Sequence, residues 1–380
     1  MTDQAVVLAA GEGRRLRPLT SLRPKPMVPV GNRPVLEHVV EALAGAGVDE
    51  IVFVVGYRRE RIQTHFGDGD DWGVDIEYVV QGKQLGTGHA LLQAEDAVDG
   101  DFLVVNGDSI VDASLVSSLV SAEAPAVAVT RSDQPTDYGV VNVDNGRVSG
   151  IREKPRVYDA ETETINAGVY RLDHEVFDEI RSRRAGGETS LTEALVALSH
   201  RRRLDAVRVE GWTDVSHLWD VLRVNADVVG CADGEGVDVH PTAHVADGVA
   251  LGEDATVGPN ATVLPGTALG DNVTVGAGAV VANSVLFADV RVGENAVVRD
   301  CVAAEDARLG PNATVEGGRA DVVVEGELYE GVRLGGVVGD YSVVAGGACV
   351  EPGAVLGNDV RVGPGTVVGG RVTEGAEVRR

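Results

Sequence analysis

A six-residue period constrains this chain more than any other feature. Val239, Val245, Leu251, Val257, Val263, Leu269, Val275, Val281 and Phe287 stand six residues apart, with Gly, Asn, Asp and Pro recurring between them. A second series runs Val332, Val338, Val344, Val350, Leu356, Val362 and Val368. Helices repeat apolar residues near 3.6 and half-buried strands at 2, so neither produces this pattern. A sustained hexad is the signature of a parallel β-helix, in which each hexad forms one short face of a coil. The left-handed, triangular form is the usual outcome of hexapeptide repeats. Between residues 288 and 331 the phase slips, as at Val292, Val298 and Leu309. Residues 316–333 are expected to be a loop thrown out of the coil.

The chain before the repeats has a different texture. Continuous apolar runs, such as those at 51–55 and 102–105, read as strands buried on both faces. Strands are also expected at 5–10, 76–80, 126–130, 139–143, 147–151 and 165–171. Helices are expected at 34–43, 60–66, 174–183, 190–201 and 216–229, with another opening at His89. This βαβ alternation predicts an α/β domain, a Rossmann-like mixed, mostly parallel sheet with helices on both faces. The expected division is residues 1–230 and 237–380, joined by a Gly/Asp/Glu linker. In such sheets ligands bind beyond the carboxyl ends of the strands. Gly11, Gly86 and Asp108 each follow an expected strand and should meet on that edge.

Charge narrows the function. The formal net charge is −26 over 380 residues, which argues against a nucleic-acid partner. It suits a halophilic protein kept soluble in a high-salt cytoplasm. Against that background, residues 1–35 carry six basic and two acidic residues, a formal +4. Gly11 and Gly13 bracket a turn followed by Arg14, Arg15, Arg17, Arg23 and Lys25, with prolines at 18, 24, 26 and 29. Backbone N–H groups of a glycine turn, joined by guanidinium and ammonium groups, suit several phosphate oxygens at once. The prolines keep the segment out of a helix and stiffen it. A polyphosphate ligand is the expectation. Leu16 stands where a dinucleotide fingerprint would need its third glycine, and this is no Walker loop.

Only three of the 33 basic residues are lysines, Lys25, Lys83 and Lys154, so each is a candidate for a compact point charge. Cys231, Cys301 and Cys349 are odd in number and far apart, as for reduced structural thiols. No apolar run approaches the ~18 residues of a membrane helix, and no secretory leader pattern opens the chain, so a cytoplasmic protein without a membrane partner is expected.

Two further motifs carry chemistry. Gln81-Gly82-Lys83-Gln84-Leu85-Gly86-Thr87-Gly88-His89 offers an amide that can read a pyrimidine edge. Asn106-Gly107-Asp108 ends a strand in a hard carboxylate suited to Mg²⁺. Taken together, the G-x-G-x-R…P-K-P string, the Q-x5-T-G-H loop and the repeats resemble the sugar-1-phosphate nucleotidylyltransferases, in the long form with a β-helix behind the catalytic domain. The wording of 84–89 is similar to that of uridylyltransferases. The resemblance implies attack of a sugar phosphate oxygen on the nucleotide α-phosphorus, with pyrophosphate leaving. It implies Arg15 and Lys25 as catalytic residues, and Leu8, Ala10, Gly11, Gly13, Gln81, Gly86 and Thr87 as nucleotide contacts. Gly139, Glu153, Lys154 and Asn166 map onto the sugar-phosphate contacts, and Asp108 with Asp214 onto the Mg²⁺ ligands, with Asn225 a further candidate. The family usually has Thr or Ser at Arg14 and Gly at Ser216. UTP with glucose- or N-acetylglucosamine-1-phosphate is the implied substrate pair, and thymidine triphosphate is the alternative nucleotide.

The repeats leave three readings of the second domain open. Hexapeptide β-helices are often trimeric acyltransferases that use a histidine base. Here no histidine follows His244 and no lysine follows Lys154, which favours a role in assembling a homo-oligomer. A silent regulatory subunit would be expected to lose Arg15, Lys25 or Asp108, and all three are present.

Overall fold

A computed structural model describes residues 4–156, 159–183, 189–230 and 234–379. Cys231 and part of the expected linker lie outside the described residues. The chain forms two compact units. The first contains residues up to Glu12, Pro24–Met27 and Val35–Thr213. The second contains Gly13–Arg23, Val28–Pro34 and everything from Asp214 on, so the basic glycine segment is shared out between them.

The first unit is built on a nine-stranded sheet. Its order is Asp75–Val80, Glu50–Val55, Gln4–Ala9, Asp101–Asn106, Thr164–Asp173, Ala126–Arg131, Asp205–Arg208, Arg147–Glu153, Gly139–Asp144. The first four strands are parallel, and Thr164–Asp173 runs against both its neighbours. Alternation along the strands feeds two cores. Ala5, Val7, Ile51, Phe53, Leu103 and Val105 pack on one face under helices Val35–Gly45 and Ala113–Val120. Val6, Val52, Val54, Phe102 and Val104 pack on the other with helices Thr87–Leu92, Glu175–Ser182 and Leu191–Arg201. That double burial is why these strands read as continuous apolar runs. The helix Ala113–Val120 was not expected; Asp112 caps it by accepting the Leu115 N–H at 2.8 Å.

In the second unit, residues 238–378 wind into a left-handed parallel β-helix of three sheets with eight, seven and seven strands. Val257, Val263, Leu269, Val275 and Val281 point into its core, which is made of Val, Ala and Leu with one buried cysteine. Asn and Asp take the left-handed backbone at many corners, among them Asp254, Asn260, Asn272 and Asn312. These residues tolerate that region best after glycine, which explains the recurring Asn and Asp between the hexads.

The phase slip begins earlier than the hexads suggest. Val257 pairs with Val275, eighteen residues on, but Leu269 pairs with Leu286, seventeen on. Leu286 therefore takes the inward position expected for Phe287, whose ring lies outside the core cluster. Residues 316–333 are no open loop: Arg319–Val324 and Glu327–Arg333 form an antiparallel hairpin. Val332 belongs to that hairpin, so the second repeat series starts at Val338. Buried Asp300 holds the hairpin base, accepting from Arg333 Nε at 3.0 Å and Gly318 N–H at 2.9 Å. The helix Leu218–Val228 lies on the sheet that contains Ala268, Val285 and Val302, and these outward residues are buried as a result. Cys301 is buried and its thiol is pushed up to about 12, chiefly by burial, as befits an inert packing residue. Among the described residues no helix is long and apolar enough to cross a membrane.

Candidate functional site

Register gathers the site residues of the first unit. Leu8 pairs with Asn106, Ala9 with Val55 and Val55 with Val80. The residues that follow, Ala10 and Gly11, Gly107 and Asp108, and Gln81, therefore leave the sheet on one carboxyl edge. The Leu8 carbonyl accepts the Gly107 N–H at 3.0 Å, and the Ala10 carbonyl accepts Gln84 Nε2 at 2.9 Å. A Cβ on Gly11 would meet no protein atom within 4 Å, so another group can approach the backbone there closely.

Lys25 opens a short 3-10 turn, Lys25–Met27, and its Nζ lies 2.8 Å from Asp108 Oδ2. The Lys25 side chain is 12% exposed and that of Asp108 is 40% exposed. A nearly buried ammonium is thus held by a carboxylate that still faces solvent. Neutralising Lys25 locally keeps the cation tolerable, because a buried unpaired charge is costly.

Gln81 is buried. Its Nε2 donates to the Gly86 carbonyl at 3.2 Å and meets His89 Nδ1 at 3.0 Å. Gly86 has φ 92, a conformation glycine adopts freely. Thr87 Oγ1 accepts the Leu191 N–H at 3.1 Å. Thr189 bonds to Leu85 and Gly88 through its backbone, both at 2.8 Å. Its importance has no sequence signal, since it acts through main-chain atoms and stands outside every motif.

Gly139, Glu153 and Asn166 come together on the sheet. A Cβ on Gly139 would lie 3.0 Å from Glu153 Oε2 and 3.7 Å from Asn166 Cβ. Asn166 Nδ2 donates to the Tyr170 hydroxyl at 2.8 Å, and its Oδ1 accepts the Gly168 N–H at 3.0 Å. Burial pushes Tyr170 far above its ordinary pKa; the Asn166 bond opposes this and the Glu153 charge adds to it. The hydroxyl therefore stays neutral beside the carboxylate. Lys154 is exposed at φ 41, with its N–H bonded to the Tyr138 carbonyl at 3.0 Å.

The remaining candidates belong to the second unit. Gly13 takes φ 64, and Arg14–Leu16 forms a 3-10 turn. Thr20 Oγ1 donates to the Gly13 carbonyl at 2.7 Å. Arg15 is half-exposed, and its guanidinium makes no hydrogen bond or ion pair with the described residues. Arg23 corrects the expectation that every arginine of the segment can serve a phosphate. It is 1% exposed and paired with Asp340 and Glu305. Asp214 is buried, and its carbonyl accepts Arg223 Nη2 at 3.1 Å. Asn225 is fully buried and bridges the Gly31 N–H at 2.8 Å to the Gly266 carbonyl at 2.9 Å. Its amide oxygen and amide nitrogen are thus both engaged with backbone groups.

Residues 4–229 match the nucleotidyl transferase family, and residues 245–374 match the GMPPB C-terminal domain. The bifunctional protein GlmU of Methanococcus maripaludis is 39% identical over 225 residues, 58% of this chain and 53% of that protein. The chain thus spans about half the length of that relative. The UTP–glucose-1-phosphate uridylyltransferase AglF of Haloferax volcanii is 37% identical over 55% of this chain and 89% of its own. A solved Bacillus anthracis structure assigned as a glucose-1-phosphate thymidylyltransferase is 28% identical, covers 61% of this chain and 97% of its own, and superposes with a TM-score of 0.56. With a family match across more than half of its length and the sheet to go with it, this chain belongs to the nucleotidyl transferase family.

Proposed function

We propose that the protein transfers a nucleotidyl group from UTP to a sugar 1-phosphate, glucose-1-phosphate or N-acetylglucosamine-1-phosphate, releasing pyrophosphate. The observation that carries this reading is the Lys25–Asp108 pair, a shielded ammonium and a solvent-facing carboxylate at 2.8 Å on the carboxyl edge of the sheet. Phosphoryl-type transfer needs little covalent help from the protein, so positioning and charge neutralisation do most of the work. In this reading Lys25 offsets charge growing at the α-phosphate, and Arg15, with no partner of its own among the described residues, clamps the departing pyrophosphate. Leu8, Ala10, Gly11, Gly13, Gly86 and Thr87 supply the walls of the nucleotide site. As Gln81 is oriented, its Nε2 is spent on Gly86 and His89, and Oε1 remains to accept an N–H from the base. Gly139, Glu153 and Asn166 hold the sugar, with Lys154 on its phosphate.

The exposed Asp108 carboxylate fits a hard divalent cation of the kind that takes one or two protein carboxylates and completes its shell with substrate phosphates. Asp108 is the residue we assign to Mg²⁺, which would supply charge neutralisation at the phosphates. Thymidine triphosphate is the second reading, favoured by the Bacillus anthracis relative, since the two bases share one polar edge.

The decisive experiment measures pyrophosphate release for four nucleotides and several sugar 1-phosphates in molar KCl. UTP with one of the two named sugars should lead. No release with any pair would sink the enzyme reading. Lys25→Ala and Asp108→Ala should each lose roughly 10²-fold or more in kcat, the scale of one preorganised charge contact. Unchanged rates would remove these residues from the site. For the second domain we assign assembly of copies of this chain and no acetyl transfer. Acetyl-CoA consumption with glucosamine-1-phosphate would overturn that.

A further inference from the structure

Arg23 lies within the segment that the proposed function assigns to the triphosphate, yet its charge is spent elsewhere. Its guanidinium sits in the second unit, 1% exposed, among residues of the β-helix. Nη2 bonds to Asp340 and lies 3.3 Å from Glu305 Oε2. Its carbon stands 5.0 Å from the centre of the Phe287 ring, the ring that the seventeen-residue coil has moved out of the core. Asp340 is itself fixed: its Oδ1 also accepts the Glu305 N–H at 3.2 Å, and its N–H donates to Asn358 Oδ1 at 3.0 Å. The shortened coil, which turns Phe287 out of the core, and the fixed Asp340 side chain therefore build the Arg23 pocket.

The other end of Arg23 faces its own loop. Nη1 donates to the Leu19 carbonyl at 2.7 Å. The Leu19 N–H bonds to the Leu16 carbonyl at 2.9 Å, and the Leu16 N–H to the Gly13 carbonyl at 3.0 Å. A continuous relay thus runs from Asp340 through Arg23, Leu19 and Leu16 to Gly13. Arg14 and Arg15 lie between its last two members.

We propose that Arg23 is a positioning residue: by tying the Gly13–Arg23 loop to Asp340 and Glu305 it makes the β-helix set the geometry with which Arg15 meets a nucleoside triphosphate. This rests on the nucleotidyl-transfer reading. A bidentate planar cation suits the task, because it fixes direction as well as distance. Loss of the anchor leaves the sugar side of the site untouched, since none of Gly139, Glu153 or Asn166 belongs to the relay.

The test uses the full-length chain with Asp340→Asn and Glu305→Gln, which keep shape and remove charge. Hydrogen exchange of peptides covering residues 13–23 should accelerate about tenfold or more in Asp340→Asn, while peptides covering Val344 and Val362 keep wild-type protection. The KM for UTP should rise roughly tenfold or more, and the KM for the sugar 1-phosphate should hold, a split that general destabilisation does not give. Glu305 is partly exposed, so Glu305→Gln carries the same test if Asp340→Asn does not fold. Wild-type exchange in 13–23 together with a wild-type UTP KM in both variants would overturn the proposal. If the wild-type chain releases no pyrophosphate, the nucleotidyl reading fails instead. Calorimetric binding of UTP to wild type and the variants then decides the positioning role: equal affinity overturns it.

Discussion

Single residues here are often defined by the one neighbour they cannot move. Gly168 has φ 72, and a Cβ on it would fall 2.3 Å from Asn106 Nδ2. Gly168→Ala should therefore lose about 1–2 kcal/mol from the left-handed backbone alone, with the clash added, and denaturant unfolding would read it. Gly139 is gentler. Its backbone is ordinary, but an added methyl would press on Glu153 Oε2 at 3.0 Å, tighter than normal contact. Gly139→Ala should raise the KM for the sugar 1-phosphate several-fold and leave the UTP KM alone; the reverse pattern would remove Gly139 from the sugar side. Lys25 and Arg23 show the opposite lesson. They are two residues apart with similar charge, and the structure gives one a solvent-facing carboxylate and the other a sealed pocket.

At the scale of elements, the helix Leu218–Val228 shows how a cap joins local chemistry to packing. Asp220 Oδ2 accepts the Ser216 and His217 N–H groups at 3.1 and 2.8 Å, and Arg223 Nη2 lies 3.2 Å from Oδ1. Burial would raise its carboxyl, but the His217 bonds and the Arg223 charge outweigh burial and hold it below its ordinary value of 3.8. A depressed folded pKa means the stabilisation is complete above the unfolded value, near 3.8, and disappears as pH falls through the folded one. Asp220→Asn should thus cost about 1 kcal/mol at pH 7, the worth of a helix cap, and approach zero cost in strong acid. A constant difference across pH would contradict it. The hairpin is held at both ends: Asp300 grips its base, and Tyr329 packs 5.1 Å from the Trp219 ring on the same helix.

For the molecule as a whole, one face of the β-helix stands out. Its outward positions just before each inward residue run His244, Thr262, Val280, Val297, Thr314, Cys349 and Val367, none of them Asp, Glu, Lys or Arg in a protein of net charge −26, with Arg299 at the end of one strand of the same sheet. The corresponding positions of a second sheet include Asp238, Arg291, Arg308, Arg361 and Glu377. The third is covered by Leu218–Val228. We expect this carboxylate-free row to join copies of the chain, so Val280→Asp with Val367→Asp should lower the mass measured by light scattering to that of the monomer. An unchanged mass would exclude this face.

The sequence by itself determined the β-helix and the mixed sheet, because each follows from a local rule: a hexad cannot bury its apolar residues any other way, and continuous β-branched runs need cover on both faces. It also pointed to Lys25 by its charge and to Asp108 by its place after a strand, both visible in one dimension, whereas Asn166 entered only through the family resemblance. Tertiary structure alone decided which cations remain for a ligand. Asp340 is 317 residues from Arg23, and no local pattern announces a partner so distant. It also decided where the coil shortens by one residue, because that depends on which side chain fills the core at Leu286. Periodicity is a property of neighbours in sequence, whereas the availability of a charge is a property of neighbours in space.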